Sequence, residues 1–70
     1  MSDFTRLDIG FEGGQVLAIR VTSDEYAGLR KALEKGEGWH ELRTQDSDIA
    51  IDLDEVVYVR IDTEEHSVGF

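Results

Sequence analysis

The chain has no cysteine and no proline among its 70 residues, and only one methionine and one tryptophan. Without cysteine there is neither a disulfide framework nor a thiolate metal centre. Without proline, the punctuation of turns and helix ends falls to glycine, aspartate and serine. Cations are scarce too: 7 Lys and Arg stand against 16 Asp and Glu, for a net charge of -9. That balance opposes nonspecific attraction to phosphate backbones and anionic membranes, both of which need local positive charge. No apolar run approaches the roughly 20 residues that cross a bilayer, and the start Met1-Ser2-Asp3-Phe4-Thr5-Arg6 lacks the cationic and apolar blocks of a secretory leader. The expectation is one small cytoplasmic domain over residues 1–70, with no membrane partner.

The chain is 40% hydrophobic, enough for a core but a small one. A domain of this length buries only about 60% of the surface its unfolded chain exposes. A core of that size rarely supplies more than about 3–5 kcal/mol, so such domains usually recruit a further staple. With disulfides and thiolate metal sites excluded, self-association or an unusually good core remains.

Alternation organises the first third. Leu7, Ile9 and Phe11 alternate with Arg6, Asp8 and Gly10 across Phe4 to Phe11, and Leu17, Ile19 and Val21 with Val16, Ala18 and Arg20 across Gln15 to Val21. Both read as strands with one wet face, joined as a hairpin. Two registers keep both apolar sets on one face. A Glu12-Gly13-Gly14 loop puts Gly14 at the left-handed position that suits glycine, but sets Arg6 opposite Arg20, a like-charge pair. A Gly13-Gly14-Gln15 loop sets Asp8 opposite Arg20 but puts Gln15 where glycine is preferred. The first is the weakly favoured reading. It requires a carboxylate or an anion beside the arginines, and Asp8 is the simplest supplier.

Thr22-Ser23-Asp24-Glu25 opens a helix as a capping box, with Thr22 capping a backbone N–H and Glu25 reaching back. Tyr26, Leu29 and Leu33 recur at helical spacing beside Ala32, while Arg30, Lys31 and Glu34 face water. Lys35-Gly36 ends the helix. The remainder reads as strands: Trp39 to Thr44, Ile49 to Leu53, Val56 to Asp62 and a short His66 to Phe70. Val56-Val57-Tyr58-Val59 is unbroken apolar sequence, the pattern of a strand buried on both faces. The fold class is therefore α+β: a bent antiparallel sheet or small open barrel of five to six strands in ββαβββ order, with one packed helix.

Catalytic and metal patterns fail residue by residue. An EF-hand calcium loop begun at Asp46 would need an oxygen ligand at Ala50, glycine at Ile51 and glutamate at Val57. His40 and His66 could join a carboxylate around zinc only if their strands lie side by side; polar strand faces are the simpler home for both. Gly36-Glu37-Gly38 follows a helix instead of opening one, so it is no phosphate loop. No serine sits in a nucleophile motif. The expectation is a non-enzymatic module without a cofactor.

Its expected mode of action is self-association into a homo-oligomer, a dimer or ring, through strand edges and apolar sheet surface. Trp39, Val56, Tyr58, Val68 and Phe70 form the interface, Trp39 as a core or interface anchor. The alternative is a regulatory domain that binds a small ligand or nucleic acid on an outer sheet face bearing Arg6, Arg20 and Arg60, with Tyr58 beside Arg60. Asp8, Asp52 and Asp62 stand ready to neutralise those arginines, which makes nucleic acid the weaker partner.

Overall fold

Two strands and a glycine turn start the fold, as their alternation requires. In the computed structural model, which describes residues 4–62, β1 (Thr5–Phe11) pairs antiparallel with β2 (Val16–Val21). Arg6 lies opposite Arg20 and Ile9 opposite Leu17, the register of the Glu12-Gly13-Gly14 loop. The Phe11 N–H donates to the Gln15 carbonyl at 2.8 Å, and Gly14 has φ 90°, a conformation that glycine alone adopts freely.

Helix α1 (Ser23–Lys35) follows at once. The Glu25 N–H donates to Thr22 Oγ1 at 3.3 Å, and the Gly36 N–H closes the far end on the Ala32 carbonyl. Only half of the expected capping box forms. The Glu25 carboxylate turns outward and accepts from the Arg43 N–H at 3.0 Å, tying the first helical turn to the next strand. A tertiary partner with an unpaired edge N–H competes here with the local one.

β3 (Trp39–Arg43) and β4 (Asp48–Asp52) form a second antiparallel hairpin. Its turn is closed by Thr44, whose hydroxyl accepts from the Ser47 N–H at 2.9 Å and whose N–H donates to the Ser47 carbonyl at 2.7 Å. A 3-10 turn at Leu53–Glu55, capped by the Asp52 carboxylate on the Asp54 N–H, redirects the chain into β5 (Val56–Ile61). β5 returns to pair antiparallel with β1. The five described strands thus form two sheets, ordered β2-β1-β5 and β3-β4, and neither closes on itself. The fold is α+β; a single bent sheet or barrel does not form among the described residues. The expected strand His66 to Phe70 lies outside them.

The core is drawn from every element but β5, which adds only the half-buried Val56, Val59 and Ile61 around it. Leu7 and Ile9 of β1, Val21 of β2, Leu29 of α1, Leu42 of β3, Ile51 of β4 and Leu53 of the 3-10 turn are buried together. Helix and hairpin therefore cover one face of the three-stranded sheet. The Gln45 N–H donates to the Arg20 carbonyl and ties the hairpin to the three-stranded sheet, while the Leu53 N–H donates to the Gly38 carbonyl and extends the β3–β4 ladder by one step.

The Val56 to Val59 run has a different cause from the one expected. Gly10 pairs with Tyr58 but Phe11 pairs with Val56, so Val57 is the extra residue of a β-bulge. The bulge flips the strand's parity. Val56 and Val59, three apart, both pack on the core, while Val57 and Tyr58 are left exposed. The run is not a strand buried on both faces.

Candidate functional site

The uncovered face of the β2-β1-β5 sheet carries the residues that alternation turns away from the core. Arg6, Asp8 and Gly10 of β1 lie between Arg20 and Ala18 of β2 and Arg60 and Tyr58 of β5. At its centre Asp8 is only 6% exposed, although its face has no covering layer among the described residues. Its own neighbours shield it. Asp8 Oδ1 accepts from Arg6 Nε at 3.2 Å, and Oδ2 accepts from Arg60 Nη2 at 2.8 Å.

This arrangement resolves the Arg6–Arg20 opposition that the hairpin register imposes. Asp8 draws the Arg6 guanidinium along its own strand and takes Arg60 from directly across the next one. Arg20 has no carboxylate within 4.0 Å among the described residues. The hydrogen bond from Arg60 holds the Asp8 carboxyl below its ordinary value of 3.8; partial burial opposes that shift, and Arg6 adds to it. A carboxyl depressed in the folded state contributes stability that is fully present above its unfolded value, and that stability disappears as pH falls through the folded one. Asp8→Asn is therefore expected to lower the melting temperature at neutral pH. The gap from wild type should narrow once the pH drops below about 3.8. Paired thermal melts from neutral to acid pH check this, and a gap that persists unchanged in acid contradicts it.

Beside Asp8, the Tyr58 ring lies over Gly10, where any β-carbon would collide with it. Glycine and aromatic face each other across strands, so the ring fills the space the missing side chain leaves. Tyr58 remains 47% exposed and Val57 62% exposed. Among the described residues β5 hydrogen-bonds only to β1, which leaves its other edge unpaired. Between that edge and α1 runs a groove of about 350 Å3 lined by Tyr26, Leu33, Val56 and Val59. Arg30 borders it and donates to the Tyr26 hydroxyl at 3.2 Å.

Of the residues singled out from sequence, Arg6, Arg20, Arg60 and Tyr58 share the outer sheet face. Val56 is half-buried against the core. Trp39 is not a core anchor: it is 72% exposed and shares the outer hairpin face with Glu41 and Arg43. Val68, Phe70 and His66 lie outside the described residues. His40 is half-buried opposite Ile51, on the same hairpin face as buried Leu42, and so is not on a polar strand face. Asp52 belongs to the other sheet and caps the 3-10 turn, so it does not neutralise the arginines. Among the described residues no group of three or more His, Asp or Glu is placed to hold a metal ion. No helix among them is long and apolar enough to cross a membrane.

Val57 and the helix wall of the β5 groove were missed from the sequence. The signal for Val57 was present: four consecutive apolar residues in a strand that covers one face imply either a second covered face or a bulge. No family model, curated protein or solved structure matches the chain.

Proposed function

We propose that the chain is a non-enzymatic interaction module that associates with copies of itself along β5. The observation that carries this reading is the β5 edge, unpaired among the described residues, with Val57 and Tyr58 exposed on it and a groove lined by Tyr26, Leu33, Val56 and Val59 beneath. Pairing two such edges satisfies a row of backbone groups and buries apolar surface in one step. The edge is also poor in the charges that usually protect such strands. Val56–Ile61 contains one charged residue, Arg60, and its guanidinium is engaged by Asp8 on the sheet face. By contrast, the β2 edge is partly capped where Gln45 bonds the Arg20 carbonyl. The association is a closed dimer or ring, and the acidic remainder of the surface keeps the closed assembly soluble.

Light scattering on a sizing column tests it. A mass of two or more whole copies of the 7.9 kDa chain at micromolar concentration is expected. Val57→Lys, at an exposed bulge position, should return the protein to one chain with its circular dichroism unchanged. A single-chain mass for the native protein overturns the reading. Truncation after Glu65 asks whether Val68 and Phe70 take part, since their loss should then reduce the assembly or its melting temperature. The second reading, ligand or nucleic-acid capture on the arginine face, has weaker support because Asp8 already engages Arg6 and Arg60.

A further inference from the structure

On the other flank of α1, away from the β5 groove, a second cleft of about 390 Å3 opens between the helix and the start of β3. The two share no lining residue. Ala32 and buried Leu53 contribute its apolar lining, Lys31 and Lys35 line the helix side, and Trp39 and His40 line the strand side. The volume falls within the range of small-molecule sites, although this cleft is shallow and open.

Three independent features make it more than a crease. The first is charge. The chain has 7 cations against 16 acids; Arg6, Arg60 and Arg43 are each within ion-pair distance of an aspartate, and of the other four, Arg20, Arg30, Lys31 and Lys35, the two lysines alone line this cleft. Lys31 and Lys35, one helical turn apart, have no carboxylate within 4.0 Å among the described residues, and Glu37 is the one acid that lines the cleft. The second is Trp39, the chain's single tryptophan and the most exposed large apolar residue among the described residues. The third is Gly28, which lies inside the helix with no positive φ. A β-carbon there would meet nothing within 4 Å, so neither packing nor backbone conformation calls for glycine, and the helix forgoes the stability alanine would supply. What glycine does provide is bare backbone on the cleft wall, the condition for a ligand to approach the main chain closely.

We propose that this cleft binds a small planar anion, a ring bearing a phosphate or carboxylate. The ring stacks on the Trp39 indole and against the backbone at Gly28, and the anionic group is held by Lys31 and Lys35. The site is independent of self-association along β5, which uses the opposite flank of the helix.

Trp39 fluorescence reads occupancy directly, because no other tryptophan contributes. The native protein is titrated with AMP and with benzoate, and with adenosine and inorganic phosphate as the ring and the charge alone. A saturable change with AMP only assigns the anion to a phosphate, with benzoate only to a carboxylate, and with both to either. Adenosine and phosphate alone should bind at least about tenfold more weakly. The double replacement of Lys31→Gln and Lys35→Gln, both at exposed positions, should weaken binding by about the same factor with the melting temperature unchanged. Gly28→Leu should abolish the response while the helix melts no earlier than wild type. Absence of a saturable response to both AMP and benzoate, or undiminished binding in either the lysine or the Gly28 variant, overturns the proposal.

Discussion

Replacing Leu29 with alanine is expected to leave most of the protein unfolded at physiological temperature. Leu29 is the one buried residue of α1 and is fully enclosed, packed in a cluster with residues from both sheets. Truncating such a leucine costs about 2–5 kcal/mol, because the lost transfer energy is compounded by the cavity left behind. A domain this small holds only about 3–5 kcal/mol in its core, so the two quantities are of the same size. The helix cannot compensate. Its 13 residues are marginal in isolation, and without Leu29 its hold on the sheet rests on half-buried Tyr26, Ala32 and Leu33. Circular dichroism against temperature and urea measures the effect. A midpoint within a few degrees of wild type would mean that the helix docks by other contacts. Ile9→Val, in the same cluster, removes one methyl group and should cost only about 0.5–1.5 kcal/mol.

What could be read from the sequence divides along physical lines. Local geometry was legible. Parity in Phe4 to Phe11 and Gln15 to Val21, together with the demand for glycine at one turn position, selects the register observed. Thr22 and Gly36 bracket the helix because capping chemistry is written in the residues themselves. Competition between local and distant partners was not legible. Glu25 has a partner in its own turn and another in β3, and nothing nearby in sequence announces the Arg43 N–H. Likewise, no periodicity shows that β5 abandons the adjacent hairpin to pair with β1, some 50 residues away in the chain; the 3-10 turn at Leu53–Glu55 that permits it is only three residues long. The same non-local pairing sets Arg60 against Asp8 and places Tyr58 over Gly10, so the outer face could be listed from sequence but not assembled. Trp39 is the instructive case in the other direction. Its alternation with Glu41 and Arg43 puts it on the wet face, against the general tendency of tryptophan to be buried.

Gly10→Ala should destabilise the native protein by about 1–3 kcal/mol, and the same change should become favourable by about 0.5–1 kcal/mol once Tyr58 is also alanine. The reversal follows from the contact itself. In the wild type a β-carbon at position 10 meets the Tyr58 ring, which must leave the sheet face to make room. That movement forfeits the cross-strand contact and uncovers the main chain of β1. With the ring gone, the three atoms nearest that β-carbon, all of them from Tyr58, are removed, and alanine costs less conformational entropy than glycine in a strand. Urea melts of the wild type, the two single variants and the double variant close the cycle, and the coupling energy is read without assuming what either residue contributes alone. Equal costs for Gly10→Ala in both backgrounds would show that the ring does not rest on the glycine. Because Tyr58 is also the aromatic exposed beside the β5 edge that is unpaired among the described residues, displacing it changes the surface offered to a second copy while leaving every charge in place. Gly10→Ala should therefore reduce the assembled mass on a sizing column at protein concentrations where the wild type remains associated, linking a buried backbone position to the proposed interface through a single side chain.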